Sequence, residues 1–226
     1  LLLSGDLYSE DNGGANGGNI GLYANAIVIE AAGAGQARVE SDGSATDGTI
    51  TVVTGTTLSS NTAWEDGLAL IGGGAVVDYS GATFADLDHL VVSAASASLG
   101  DTTLGDGAGN ANVGLAVTTV GDLTLSGDIS TAGDGSTNAG AIDLSGVAGA
   151  IVLADTDGTV TITSDAAGTD ADITLGVVED DGNGRNLSLA SGGADVVLGG
   201  AIGQAARIGT LTVVDANDVT VSGSVE

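Results

Sequence analysis

The side chains of this 226-residue chain that could do chemistry are almost all carboxylates. Asp and Glu number 30, of which 24 are Asp, against three Arg, one His and no Lys, for a formal net charge of -27. Three groups stand out by spacing. Asp155-Thr-Asp157-Gly158, Asp170-Ala-Asp172 and Glu179-Asp180-Asp181-Gly182-Asn183-Gly184 crowd hard oxygen donors into turn-forming sequence, the arrangement Ca²⁺ selects. Asp155, Asp157, Asp180, Asp181 and Asn183 are therefore candidate calcium ligands. None of the three completes an EF-hand loop, and no glycine-rich nonapeptide calcium array is present. Asp is also a common turn residue in its own right. The sequence requires no cofactor; calcium is the one candidate.

The remaining chemistry is sparse. Arg38, Arg185 and Arg207 are the only strong cations, and Arg185 beside Asp180 and Asp181 is the one grouping that resembles the base and acids of a polysaccharide lyase. Of the N-T-D, D-D, G-H-G and R-I-K motifs of polygalacturonase-like hydrolases, only D-D occurs, at Asp180-Asp181; His89 sits in Asp-Leu-Asp-His-Leu. Paired carboxylates are too frequent here to mark acid–base work, and His89 forms no readable triad with serine. The absence of Cys removes disulfides, thiolate metal sites and thiol nucleophiles. One His rules out a multi-His metal site within the chain. A polyanion of this kind has no basic footprint for nucleic acid. The chain reads as a non-enzyme.

The elements that carry these residues are strands. Runs such as Thr49–Val53, Asp122–Gly127, Thr159–Thr163, Asp172–Leu175 and Thr210–Val214 alternate apolar and small polar residues with period two, and Gly, Asp, Asn and Ser separate them. Hydrophobic residues make up 42% of the chain, enough for a buried core, which argues against the disorder that high charge would otherwise favour. No apolar run reaches the length of a membrane helix. The opening LLLSGDLYSE is not a secretory signal, and the chain reads as a piece of a longer polypeptide.

Internal repetition is the strongest pattern. Residues 1–22 align without a gap to residues 123–144, with ten of 22 positions identical, and Val219–Glu226 repeats the opening a third time. Strand centres at Leu123, Ile142 and Val160 suggest a unit of about 20 residues. Such a unit cannot bury its apolar face alone and must stack on its neighbours. The expectation is an all-β chain forming a parallel β-helix, or β-solenoid, of about 20-residue coils, roughly eleven of them, in a rod about 50 Å long. It would be one continuous segment over 1–226. The alternative is an array of β-sandwich modules. Residues 58–92 break the rhythm and hold Trp64, Tyr79, Phe84 and His89; they are expected to be irregular, as a protruding loop or side face, or as a core plug of larger side chains.

GGANGGNIGLYANAIVIE, DISTAGDGSTNAGAIDLSG and ADVVLGGAIGQAARIGTLTVVDANDVTVSGSV resemble the degenerate repeats of filamentous-haemagglutinin-like proteins, very large secreted bacterial surface proteins. The resemblance covers most of 1–57 and 110–226 and is compositional more than motif-exact. It implies a right-handed parallel β-helix, an extracellular cell-surface location, and a role in adhesion or surface structure. No functional residue transfers by position. The expected function is a stiff stalk or matrix segment of a surface adhesin. The alternatives are a self-assembling filament or S-layer-type subunit, and a β-helix polysaccharide lyase or hydrolase. Expected partners are neighbouring repeats of the same polypeptide or other copies end to end, and a host-cell or matrix glycan or protein, with no nucleic acid and no membrane span.

Overall fold

The computed structural model describes residues 1–9, 16–31, 35–41, 46–62, 66–105, 113–132 and 138–226. Among them the alternating pattern resolves into 25 short strands and no helix. They fall into three sheets. Sheet 1 contains β1 (Leu2–Leu3), β4 (Ala26–Ile29), β7 (Thr57–Ser60), β10 (Thr83–Leu87), β13 (Thr102–Leu104), β16 (Ile129–Ser130), β19 (Thr159–Thr163), β22 (Asn186–Ala190) and β24 (Leu211–Asp215). Sheet 2 contains β2 (Leu7–Tyr8), β5 (Gln36–Glu40), β8 (Gly67–Ile71), β11 (Leu90–Ala94), β14 (Val113–Thr119), β17 (Ala141–Val147), β20 (Ile173–Leu175), β23 (Val196–Leu198) and β25 (Val219–Val221). Sheet 3 contains β3 (Ile20–Leu22), β6 (Ile50–Val52), β9 (Val76–Tyr79), β12 (Ser96–Leu99), β15 (Leu123–Leu125), β18 (Ala150–Leu153) and β21 (Val177–Asp180).

The chain visits sheets 1, 2 and 3 in strict rotation, and the strands pair in parallel with those one turn away. This is a parallel β-solenoid. Beyond β21 the third side continues as the single bridges Val178–Ile202 and Ile202–Val225. Each side therefore has nine tiers.

The coil is longer than the sequence pattern suggested. Register partners lie about 27 residues apart, ranging from Leu87–Leu104 to Ile129–Ile162. The shorter spacing has a physical origin. Leu123, Ile142 and Val160 lie on β15, β17 and β19, each two strands after the last, so their separation measures two sides of a three-sided coil. The repeat of residues 1–22 at 123–144 likewise maps β1 onto β15, a different sheet. What recurs is the strand–corner–strand unit, which suits any side of the coil. Nine tiers span eight rises of about 4.8 Å, a rod of about 38 Å.

The core is a set of in-register ladders. On sheet 2, Leu68, Leu90, Leu115, Ile142, Ile173 and Val196 stack tier on tier, each at most 1% exposed. One sheet 3 ladder runs Tyr79, Leu99, Leu125, Leu153 and ends on Asp180. At the corner after sheet 1, the buried hydroxyls of Thr131, Ser164 and Ser191 occupy successive tiers and donate to the carbonyls of Gly140, Ala171 and Ala194. Inward polar groups are thus satisfied where the chain must turn.

The stretch 58–92 carries β8, β9, β10 and β11 in these same three sheets. Within it Tyr79 and Phe84 are fully buried and stacked, with ring centroids 5.2 Å apart at 26°. The strand β10 shifts register between Phe84 and Leu87, where Asp86 adopts a φ of 60°. Trp64 lies outside the described residues.

Candidate functional site

The solenoid brings the predicted calcium set onto two stacked corners. Asp155 and Asp157 lie between β18 and β19, and Asp181 and Asn183 one tier on, between β21 and β22, with Asp180 ending β21. At the first corner the Asp157 amide donates to Asp155 Oδ1 at 3.0 Å, and Gly158 turns the chain at a φ of 88°.

The second corner is built around Asp180. This carboxylate points inward above Leu153 and is 6% exposed. Its Oδ2 accepts the amides of Gly182 at 2.8 Å and Gly184 at 2.7 Å, and its Oδ1 accepts that of Arg185 at 2.7 Å. A buried anion that receives three amides replaces its lost water shell with fixed donors. Gly182 and Gly184 both have positive φ, which lets the loop wrap the carboxylate.

Asp181 takes the Arg185 guanidinium, with Nε and Nη2 each 3.2 Å from its oxygens. That contact, with help from Asn183, holds the Asp181 carboxyl below the usual carboxylate range, against the opposing effect of burial, and raises Arg185. The oxygens of Asp180 and Asp181 are therefore engaged by amides and a guanidinium. Among the described residues, no group of three or more His, Cys, Asp or Glu side chains is arranged to hold a metal ion. Asp170, the first acid of the third predicted group, accepts the amides of Ala166 at 2.7 Å and Gly193 at 2.6 Å.

Sequence reasoning missed what many corner acids do. Carboxylates of one tier accept backbone amides of the next: Asp101 from Asp128 at 3.1 Å, Asp122 from Ala150 at 2.9 Å, Asp128 from Thr161 at 2.7 Å, and Asp172 from Asp195 at 3.0 Å. Glu179 accepts from Ala205 and Ala206 together. A short side chain suits this reach, which accounts for Asp outnumbering Glu. The signal was present as Asp residues one full coil apart, such as Asp195 and Asp218, but it is readable only once the coil length is known.

The other candidate groups are paired. His89 Nδ1 lies 2.8 Å from Asp88 Oδ2, and its ring rests against Gly67, where a Cβ would collide with the imidazole. Arg38 lies against Glu40 at 2.7 Å, and Arg207 lies 3.8 Å from Glu226.

The two end tiers present apolar cross-sections. Leu187, Leu189, Val196, Leu198 and Ile202 are inward and at most 1% exposed. Their register partners Leu211, Val213, Val219, Val221 and Val225 are partly or largely exposed, since no tier covers them in this chain. At the other end Leu3 and Leu7 are half-buried.

No family model, no curated protein and no solved structure matches this chain.

Proposed function

We propose that this chain is a stiff structural segment of a large extracellular bacterial surface protein, acting as a stalk or surface-matrix element and continuing the surface role that the haemagglutinin-like resemblance implies. The supporting observation is the ladder of nine tiers on every side with one unbroken core. The strands of each tier pair only with those of neighbouring tiers, so stiffness and reach are properties of the stack and not of a pocket. Antibodies raised against the chain should label intact, unpermeabilised producing cells. Labelling only after permeabilisation overturns the surface placement.

A second reading is favoured by the end tiers. An apolar cross-section bordered by open strand edges is a template for another tier, supplied by adjoining repeats or by a second copy stacked end to end. On that reading the chain is a subunit of a filament or surface layer. Sedimentation of the purified chain across salt and pH separates the two.

A further inference from the structure

With no Lys and three Arg, the chain offers an arginine-specific endoprotease three bonds: Arg38–Val39, Arg185–Asn186 and Arg207–Ile208. Such an enzyme takes its substrate as an extended strand, seats the guanidinium in a carboxylate-lined pocket and draws the scissile carbonyl oxygen into its oxyanion hole. The fold closes two of the three bonds to that approach. Arg38 lies within β5, which β2 and β8 pair on either side, and its guanidinium is held by Glu40 at 2.7 Å. Arg185 is held at every group the enzyme needs. Its guanidinium lies on Asp181, its amide donates to Asp180, and its carbonyl accepts the Gly209 amide at 2.7 Å. Its side chain is 16% exposed.

Arg207 differs on each count. It lies between the Ile202 bridge and β24, outside any strand, and its side chain is 75% exposed with Glu226 3.8 Å away. Gln204, Ala205 and Gly209 beside it are exposed as well. No acid occurs between Asp195 and Asp215, so no carboxylate near in sequence competes with the enzyme's pocket for the guanidinium. We propose that Arg207–Ile208 is the bond at which an arginine-specific serine protease cuts the folded chain, and that Glu179 sets the rate as a latch. Glu179 accepts the amides of Ala205 at 3.0 Å and Ala206 at 2.6 Å, and the Ala206 carbonyl accepts the Asp180 amide at 3.1 Å. Those residues precede the bond and must pair with the enzyme, so the loop has to leave Glu179 before it is cut. Hydrolysis adds one water across the amide, leaving a carboxylate on Arg207 and an ammonium on Ile208. Ile208 is 6% exposed, and a new charge there must move out to water. After the cut, β24 and β25 are tied to the rod by strand pairing alone, and their departure uncovers Leu187, Leu189, Val196 and Leu198. Cutting thus strips a tier and bares a fresh apolar cross-section.

Limited digestion of the purified chain with trypsin tests this, at an enzyme ratio that cuts the urea-unfolded chain after all three arginines. Mass spectrometry and N-terminal sequencing of the folded chain should give residues 1–207 and a fragment beginning at Ile208, with Arg38–Val39 and Arg185–Asn186 intact. Arg207→Gln, an exposed change that costs the fold little, should leave the folded chain uncut under the same conditions. Glu179→Gln places an NH2 group where an accepting oxygen faced the loop amides. It should speed the cut after Arg207 about tenfold with an unchanged circular dichroism spectrum. A folded chain that resists trypsin entirely overturns the proposal. So does cutting after Arg38 or Arg185 as fast as after Arg207, or a rate that a folded Glu179→Gln variant leaves unchanged.

Discussion

Individual side chains in this solenoid divide into those the stack needs and those it tolerates. Tyr79 is tolerated. Its ring fills the core against Phe84, but its hydroxyl is buried with no hydrogen-bond partner among the described residues, and burial pushes its ionisation far up. Tyr79→Phe keeps the ring and removes the orphan, so it should stabilise the fold by about 1 kcal/mol, read from urea unfolding; a loss of stability would mean the hydroxyl has a partner. Asp180 is needed. Asp180→Ala leaves three loop amides without their acceptor and should cost about 2–3 kcal/mol, with faster hydrogen exchange at Gly184 and Arg185. Asp157→Ala, at an exposed turn, should change stability by no more than about 0.5 kcal/mol. Asp181 adds a pH dependence of known sign. Its folded carboxyl lies below its unfolded value, so the Arg185 pair stabilises above the ordinary carboxylate range. That stabilisation is lost as pH falls through the lowered value. Arg185→Gln should flatten this part of the stability–pH curve while leaving the Asp180 cage intact.

At the scale of the strand, most of the fold is legible in the sequence, because period-two alternation states which side chains face inward. Val91 and Val92 are neighbours on β11, yet Val92 is buried and stacked while Val91 faces outward. Val91→Lys should therefore be tolerated, and Val92→Lys should unfold the chain or cost more than about 3 kcal/mol, as a buried unpaired charge does; equal effects would mean the register is wrong by one residue. The coil length was not legible, for a reason that lies in the same pattern. A strand–corner–strand unit looks alike on all three sides, so Leu123, Ile142 and Val160 suggested a complete coil where the chain had advanced two sides. The corner acids were legible as a composition and not as an arrangement. Asp122 and Ala150 are distant in sequence, and their hydrogen bond exists only because the tiers stack. The aromatic interruption at 58–92 shows the opposite case. Tyr79 and Phe84 mark a place where larger side chains fill the core, and the strands around them keep to the three sheets.

The whole molecule sets two opposed forces against each other. Nine tiers end in apolar cross-sections and open backbone edges, which favour addition of a further tier. A net charge of -27, concentrated in corner acids, opposes the approach of any second copy. Salt screens the repulsion over about 10 Å at 0.1 M, and acidification towards the sequence pI of about 4.1 removes it. Neither change weakens the apolar contact. The purified chain should therefore sediment as a monomer at pH 8 in low salt and as larger species in molar salt or near pH 4. Val213→Asp and Val221→Asp test where the contact forms. Both positions are partly or largely exposed in this chain and sit over fully buried residues one tier below, so a charge there costs the monomer little. It would, however, be buried unpaired beneath any tier added above. The double variant should remain monomeric in molar salt at pH 8 with its circular dichroism unchanged. Association that persists in the double variant would place the contact on the sides of the rod. A native chain that stays monomeric in molar salt and near pH 4 would remove the end-to-end reading and leave the stalk to be built by covalent continuation alone.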